Sequence, residues 1–264
     1  MLLAAVMLAT AAGPANAAPA EPELQRLLDA RRDRGSSEWV VRQLEARRAQ
    51  GHDDAATVAA LLRARYFLAT AWLRREDEDA AERVLTRAVD DGVRWLAAHA
   101  GRRWPDYDAL DGAWSQIDAA SRGVFYWTTL SYGAAIPYRS IFSRMGAAKR
   151  FRRGLERLVA LDRDFFHGGP DRVLAEFLHK APGIAGGDDD RAKEHARRAL
   201  AQHPRYIENT IVHAIVVLRP ERGDAAYRAA LHKALQMPVD ALPDCVPEQR
   251  AARRRAQRLL EELD

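Results

Sequence analysis

A glycine-rich stretch that runs into three aspartates is the first place where residue types and spacing could do chemistry. It reads KAPGIAGGDDD, with Gly183, Gly186 and Gly187 ahead of Asp188 and Asp190. The backbone N–H groups of such a loop can converge at a helix N-terminus and hold a phosphate or carboxylate. Aspartates in the first helical turn already supply the negative charge that the helix dipole favours, and the GxxxxGK[ST] spacing is missing. We therefore favour a capped connector, and we keep Gly186 and Gly187 as candidate ligand-lining residues.

Histidine, cysteine and acidic residues show no spacing that is typical of a metal or catalytic site. The histidines are scattered, and neither an HExxH nor a GxSxG motif is present. Cys245 is the single cysteine, so the chain has no internal disulfide framework. In the turn LPDCVP a small buried residue is a more frequent role for it than a nucleophile. The sequence therefore predicts no catalytic residue, no metal ligand and no cofactor.

The segment VFYWTTLSYGAAI, residues 124–136, is apolar nearly all round when it is drawn as a helix. Such a helix is either buried on every side or lines an internal cavity. Buried tyrosine and tryptophan need a partner for their O–H and N–H groups, which a ligand can provide. Burial in the core is the more frequent outcome. If a ligand cavity exists, we expect Phe125, Tyr126, Trp127 and Tyr132 to line it.

The composition is that of a soluble helical protein. Of the 264 residues, 48 % are hydrophobic and 30 % are charged, and alanine, leucine and arginine dominate over β-branched residues. No segment shows sustained period-2 alternation, so no sheet is predicted. The net charge of +4 is mild, and basic residues can serve nucleic acid or acidic ligands.

The first twenty residues carry no charge and are typical of a secretory signal. An apolar run from Leu2 to Ala12 precedes Ala-Asn-Ala at positions 15–17, which fits a cleavage site. The run is too short to anchor the chain across a bilayer. We predict a signal peptide at residues 1–17 and export to the periplasm, where a nucleic-acid partner is not expected. No cysteine stands near the cleavage point, so no lipid anchor is expected.

Helical periodicity continues through the rest of the chain and becomes repetitive in the C-terminal half. We predict helices at residues 23–34, 37–49, about 55–74, 78–100, 114–135 and 140–161. Two small residues and a proline then recur with a period of 34 residues, which is the tetratricopeptide spacing. These positions are Ala192, Ala196 and Pro204, followed by Ala226, Ala230 and Pro238. Helices of this kind must stack on neighbours to bury their apolar faces.

Three segments in a fixed order carry a resemblance to a known family. They are FYWTTLSYGAAI, then LVALDRDFFHGGPDRVLAEFLHKAPGIAGGDDDRAKEHARRAL, and finally AARRRAQRLLEEL. A Tyr-Trp helix, an aromatic-Gly-Gly, a Pro-x-x-x-Gly-Gly-Asp and a tetratricopeptide helix resemble the T component of tripartite ATP-independent periplasmic (TRAP) transporters, the TatT family. The resemblance implies a periplasmic helical-repeat protein that works beside a solute-binding subunit. Members are often lipoproteins, and this chain departs from them because it lacks the lipid-accepting cysteine.

We therefore expect an all-α, tetratricopeptide-like α-solenoid of antiparallel helix pairs. Residues 18–264 would form one domain, with N-terminal helices at 18–112 and the TatT-like region at 113–264. The expected function is non-enzymatic: binding of a periplasmic solute-binding protein or another envelope protein, together with a small apolar or carboxylate ligand. A homo-oligomer stays open.

Two alternatives belong to other classes of function. A general scaffold for envelope assembly would show an open concave groove without an enclosed cavity. An exported enzyme could be built from residues distant in sequence, such as Cys245 and a histidine. Burial of Cys245 far from every histidine would remove this second alternative.

Overall fold

The computed structural model describes residues 22–263, and this range contains helices and no strand. The all-α prediction is confirmed. The signal peptide predicted at residues 1–17 lies outside the described residues. None of the helices between residues 22 and 263 has the length and hydropathy that a membrane span requires.

The described residues form twelve α-helices in chain order. The first six are α1 (Pro22–Asp29), α2 (Arg34–Ala49), α3 (Ala55–Leu68), α4 (Arg74–Glu76), α5 (Glu78–His99) and α6 (Arg122–Ala135). The others are α7 (Ile141–Asp162), α8 (Phe165–Lys180), α9 (Asp189–Gln202), α10 (Ile207–His213), α11 (Arg219–Gln236) and α12 (Val246–Glu261). Single π-helical segments follow α3 and α10, at Ala69–Leu73 and Ala214–Leu218. Short 3₁₀ turns lie at Tyr107–Gly112, Trp114–Gln116, Ile136–Tyr138, Gly183–Ala185 and Pro243–Cys245.

Two predicted helix starts are wrong, each for a local reason. A break was expected at residues 35–37, Gly-Ser-Ser, between the first two predicted helices. These residues lie inside α2 instead, because Asp33 caps that helix. Its carboxylate accepts from the Ser36 N–H at 2.7 Å, and Ser36 Oγ accepts from the Asp33 N–H at 3.0 Å. The helix expected from Trp114 begins only at Arg122, since residues 114–116 form a separate 3₁₀ turn.

The repeat positions lie on helices, although their burial differs between the two copies. Ala192 and Ala196 on α9 are buried, whereas Ala226 and Ala230 on α11 are only half-buried. Gly223 breaks α11 near its start with a φ of 79°. Both α9 and α11 contact α10, as stacked helix pairs would. The tetratricopeptide-like solenoid as a whole stays a prediction.

The central helix of the fold is α6. It contacts α3, α5 and α7, and its apolar side chains belong to the largest core cluster. The close approach of α5 depends on Gly92, where a Cβ would lie 1.9 Å from Thr128 Oγ1. Two smaller clusters join α1 to α2 and α3, and α10 to α11 and α12.

A buried ion cluster joins the end of the chain to its beginning. Arg63 on α3 donates to both carboxylate oxygens of Glu248 on α12, at 2.9 and 3.0 Å. Arg31, just after α1, is fully buried and places Nη2 at 2.8 Å from the same carboxylate. Helix α12 also contacts α10 and α11, so it lies between these helices and α1.

The charges in this cluster depend on one another. Burial by itself would raise the pKa of Glu248, but the charges of Arg31 and Arg63 outweigh burial and lower it to about 2. Burial lowers the pKa of Arg31 to about 10. Burial by itself would lower the pKa of Arg63, but the charge of Glu248, together with the hydrogen bonds to it, outweighs burial and raises that pKa. Without the carboxylate of Glu248, each arginine would be a buried charge with no anion beside it, which destabilises the fold.

We expect Glu248→Gln to lower the free energy of unfolding by about 3–5 kcal/mol at neutral pH, because it leaves two buried cations without an anion. The contribution of Glu248 has a defined pH range. Since its pKa falls from 4.5 to about 2 on folding, the stabilisation is complete above the higher value and is lost as pH falls toward the lower one. Urea denaturation of both proteins at several pH values measures this difference.

Glu38→Gln is the matched control, since Glu38 pairs with Arg34 at the surface and should change stability by no more than about 0.5 kcal/mol. Equal effects of the two substitutions, or an unchanged pH dependence in Glu248→Gln, would contradict the role of Glu248.

Candidate functional site

A cavity of about 430 Å³ lies between α3, α6, α8, α10 and α12. This volume is within the range of small-molecule sites. Helices from both halves of the chain contribute residues to its lining. Glu248, which pairs with Arg31 and Arg63, is one of them. The lining consists of aromatic and small apolar residues together with charged ones: Tyr66, Phe67, Thr70, Ala71, Arg74, Tyr126, Trp127, Leu130, Phe166, Arg172, Val173, Glu176, Lys180, Tyr206, Glu208, Glu248, Ala251, Ala252, Arg254, Arg255 and Arg258.

Five aromatic rings form a continuous wall of this cavity, which we call the aromatic wall: Tyr66, Tyr126, Trp127, Phe166 and Tyr206. Trp127 is at its centre, with ring centroids 4.9 Å from Tyr126, 4.9 Å from Phe166 and 5.8 Å from Tyr66. Phe166 continues the wall to Tyr206 at 5.8 Å. Such a wall offers a large apolar surface with hydroxyl groups at its edges.

A left-handed segment at the start of α8 places Phe166 in the wall. Phe166, His167 and Gly168 have φ values of 46°, 56° and 73°, a conformation that costs of order 1–3 kcal/mol for each non-glycine residue. Neighbouring side chains hold it in place. The His167 carbonyl accepts from Arg172 Nη1 and from Asn209 Nδ2, both at 3.1 Å.

Arg172 is the most deeply buried cation of the cavity. Its guanidinium donates to Asn209 Oδ1 at 3.0 Å and, over a longer 3.4 Å, to the Tyr126 hydroxyl. It also lies over the Tyr206 ring, 4.4 Å from the centroid. Within residues 22–263 no ion pair includes Arg172, and its hydrogen bonds are with neutral groups. A buried cation without a carboxylate favours an anion at this place.

The carboxylates of the cavity already have cationic partners. Glu176 lies 2.6 Å from Arg255 Nη2 and 2.5 Å from Lys180 Nζ. Burial would raise the pKa of Glu176, but the charges of Arg255 and Lys180 lower it to about 2. Glu208 also pairs with Arg255. Neither carboxylate forms an ion pair with Arg172, Arg254 or Arg258 in the described part of the chain.

Two further arginines on α12 add positive charge to the cavity. Arg254 lies over the Trp72 ring at 4.6 Å, and in the described part of the chain neither it nor Arg258 takes part in an ion pair. Burial, and then the charge of Arg250, lowers the pKa of Arg254. Burial, and then the charges of Arg75, Arg254 and Arg255, lowers the pKa of Arg258. An anion bound here would relieve this repulsion.

The residues expected to line a cavity from α6 divide into two pairs. Tyr126 and Trp127 belong to the aromatic wall. Phe125 lies on another side of the helix, 5.4 Å from Trp114. Tyr132 stacks on Tyr107 at 4.0 Å and donates to Asp108 at 2.7 Å. Both are buried within the largest core cluster.

The glycines of the KAPGIAGGDDD loop do not line the cavity, and the loop has the features of a connector. The N–H of Gly186 donates to Gly183 O at 2.9 Å, and that of Gly187 donates to Pro182 O at 3.1 Å. Asp188 caps α9 by accepting from the Arg191 N–H at 3.0 Å. Because these glycine N–H groups already have backbone acceptors, they do not form an anion cradle.

Cys245 is buried, but it does not lie far from every histidine. Its Sγ lies within 4.8 Å of ligand atoms of His167 and Asp244. The enzyme alternative required a histidine near Cys245, and His167 meets that requirement. However, burial raises the pKa of the Cys245 thiol, so the thiol is protonated at neutral pH and is a weak nucleophile.

Sequence reasoning missed most of the charged lining and three rings of the aromatic wall. Arg172 and Tyr126 are 46 positions apart, and no periodic pattern links them. The one available signal was the aromatic-Gly-Gly motif, because a glycine pair after two bulky residues is typical of a backbone in an unusual conformation. The motif indicated a turn with unusual backbone angles, but it did not indicate that the turn places the Phe166 ring in the aromatic wall.

Comparison with known proteins identifies one family. The model of the TRAP transporter T-component family matches residues 59–264, which is more than half of the chain. No curated protein matches the chain. The matched range includes every residue that lines the cavity.

We expect Gly169→Ala to disturb the aromatic wall. A Cβ at Gly169 would lie 2.3 Å from the Tyr126 hydroxyl and 2.8 Å from Cζ of the same ring, so Tyr126 must move. The free energy of unfolding should fall by about 1–3 kcal/mol, as for an overpacked core. Near-ultraviolet circular dichroism, which reports on packed aromatic rings, should change as well.

Gly183→Ala is the control, because a Cβ there meets nothing within 4 Å. It should leave both signals close to those of the unsubstituted protein. If Gly169→Ala also leaves the free energy of unfolding and the circular dichroism spectrum unchanged, the close approach of α8 to Tyr126 does not exist in solution.

Proposed function

We propose, from the premise that the chain belongs to the TRAP transporter T-component family, that it binds an amphipathic carboxylate in the cavity and acts beside a solute-binding subunit. The observation that carries this proposal is Arg172, a buried guanidinium without a carboxylate partner that borders an aromatic wall.

The chemistry of the lining favours an anion with an apolar part. Six cationic side chains and three carboxylates border the cavity, and Glu176, Glu208 and Glu248 all pair with arginine or lysine. Charge-assisted hydrogen bonds to a ligand carboxylate are worth about 1.5–3 kcal/mol each. The aromatic wall would cover the apolar part, at about 25 cal/mol per Å² of buried surface. A fully polar anion would leave that wall unused.

The proposal includes a location and an architecture. We place the protein in the periplasm after removal of residues 1–17, as a non-catalytic helical-repeat protein whose tetratricopeptide-like helix pairs form the walls of the cavity. The alternative of a general envelope scaffold required an open groove without an enclosed cavity. The cavity is partly open to solvent, so its shape fits either role, and the transport role is supported instead by the cationic and aromatic side chains that line it.

Binding should depend on the carboxylate group. We expect straight-chain monocarboxylates to bind and to raise the unfolding temperature, with affinity at least about 10-fold above the matched primary alcohols. Isothermal titration calorimetry and thermal unfolding measure the two effects. The double substitution Arg254→Gln with Arg258→Gln should reduce this preference for carboxylates, since it removes two cations from the cavity.

Arg197→Gln is the matched control, because Arg197 pairs with Glu221 outside the cavity. Arg172→Gln is the stronger test of the site and should abolish binding wherever the variant remains folded by circular dichroism. Equal affinity for carboxylates and alcohols, or no binding of either, would contradict the proposed ligand class.

The partner surface is proposed at the start of α7. Ile141, Phe142 and Met145 are exposed there, and Phe142 is 94 % exposed. Such a cluster of exposed apolar side chains is typical of a protein contact. Arg139 and Arg144 beside it would favour an acidic rim on the partner.

We expect the mature protein, immobilised and exposed to native periplasmic extract, to retain a solute-binding protein that mass spectrometry identifies. Phe142→Ser should reduce this retention at least about 10-fold, as for a residue at the centre of an interface. Ile184→Ser is the control, since Ile184 is also exposed but lies on a different turn. Retention that both substitutions leave unchanged would place the contact elsewhere.

A further inference from the structure

A second cluster of reactive side chains lies behind the aromatic wall. The imidazole of His167, the carboxylate of Asp244 and the thiol of Cys245 have ligand atoms within 4.8 Å of one another. The His167 Nε2 and Asp244 Oδ2 atoms are 2.9 Å apart. None of the three lines the cavity, and the proposed carboxylate binding does not use them.

The left-handed turn explains why these residues meet. His167, with its φ of 56°, directs its ring away from the core of α8 and toward the 3₁₀ turn Pro243–Cys245. The ring stacks on Tyr206 at 5.3 Å with an interplanar angle of 17°. Cys245 is fully buried, and Asp244 is half exposed. The cluster therefore has a fixed inner side and a side that solvent can reach.

The donor set and its dimensions suit a zinc ion. Zinc in proteins binds thiolate, imidazole and carboxylate at about 2.0–2.3 Å, which requires ligand atoms roughly 3.3–3.7 Å apart in a tetrahedron. The His167 Nε2 and Asp244 Oδ2 atoms are 2.9 Å apart and all three ligand atoms lie within 4.8 Å of one another, so side-chain rotations can bring them to these distances. Three protein ligands would leave a fourth position for water on the exposed side.

The nearest cation does not prevent binding of a metal ion. Arg63 Nη2 donates to the Asp244 carbonyl at 2.8 Å. Its guanidinium is held by the bidentate contact with Glu248, which Arg31 shares, and is directed at the Asp244 carbonyl rather than at the three ligand atoms. The carboxylate of Asp244 faces His167 instead, and His167 has no arginine beside its ring nitrogens among the described contacts.

We propose that His167, Asp244 and Cys245 form a Zn²⁺ site. On binding, the Cys245 S–H bond breaks, its proton passes to solvent and a zinc–sulfur bond forms; the hydrogen bond between His167 and Asp244 gives way to two zinc bonds. The site would link α8 to the segment before α12 and would hold His167 in its left-handed conformation. Sequence spacing did not indicate it, because 77 positions separate His167 from Asp244.

The test is a zinc titration of the full mature protein after metal removal, in competition with a chromophoric chelator. We expect one Zn²⁺ per chain. Asp244→Asn should weaken zinc binding at least about 10-fold and Cys245→Ser about 100-fold or more, since even groups behind the ligands change metal affinity about 10–100-fold. Co²⁺ in place of Zn²⁺ should show a sulfur-to-cobalt charge-transfer band that Cys245→Ser abolishes.

His203→Gln is the matched control. Its ring pairs with Asp164 at 3.1 Å and lies 6.3 Å from the His167 ring, outside the cluster. It should leave zinc affinity unchanged. If Cys245→Ser does not fold, the zinc affinity of Asp244→Asn tests the proposal. The Asp244 side chain is 53 % exposed, so this substitution leaves the core intact. No stoichiometric zinc, or equal binding by Asp244→Asn and His203→Gln, would overturn the proposal.

Discussion

The pairing of Glu248 with Arg31 and Arg63 is the constraint on which the rest of the structure depends. One carboxylate on α12 faces two buried guanidinium groups that belong to the N-terminal helices. An array of stacked helices can grow without limit, because each pair contacts only its neighbours. Here α12 contacts α1 and, through Glu248, Arg63 on α3, so helices that are far apart in the described chain lie side by side. The cavity exists because α12 lies across the space between α3, α6, α8 and α10.

The same closure explains the unusual charge of the interior. The outer face of a terminal helix is normally exposed to water. Arg254 and Arg258 on α12 border the cavity instead, together with Arg172. Isolated charges in such a place are costly, and proteins keep them where they pair with a partner or bind a ligand. Glu176 pairs with Arg255 and Lys180, and Glu208 pairs with Arg255, whereas Arg172, Arg254 and Arg258 form no ion pair in the described chain. The imbalance is a property of the site, since the whole sequence has a net charge of only +4.

The aromatic-Gly-Gly motif links the two proposed sites. Its left-handed residues turn Phe166 into the aromatic wall and His167 toward Asp244 and Cys245. Gly168 accommodates the positive φ, and Gly169 allows Tyr126 to approach the backbone of α8. The strain of this turn is offset by hydrogen bonds from Arg172 and Asn209 to the His167 carbonyl. A ligand at Arg172 and a metal ion at His167 would thus act on opposite sides of one short segment.

The sequence by itself determined what depends on local order: the all-α class, most helix positions, the burial of the Tyr-Trp helix and the family. Periodicity, capping residues and motif order are encoded within a few tens of residues, so they can be read directly. Only the tertiary structure decided which side of α6 faces the cavity, so that Tyr126 and Trp127 line it while Phe125 and Tyr132 do not. It also decided the contacts between Arg63 and Glu248, 185 positions apart, and between His167 and Asp244. No pattern in the sequence specifies such pairs, because the distance between them follows from the packing of all the intervening helices.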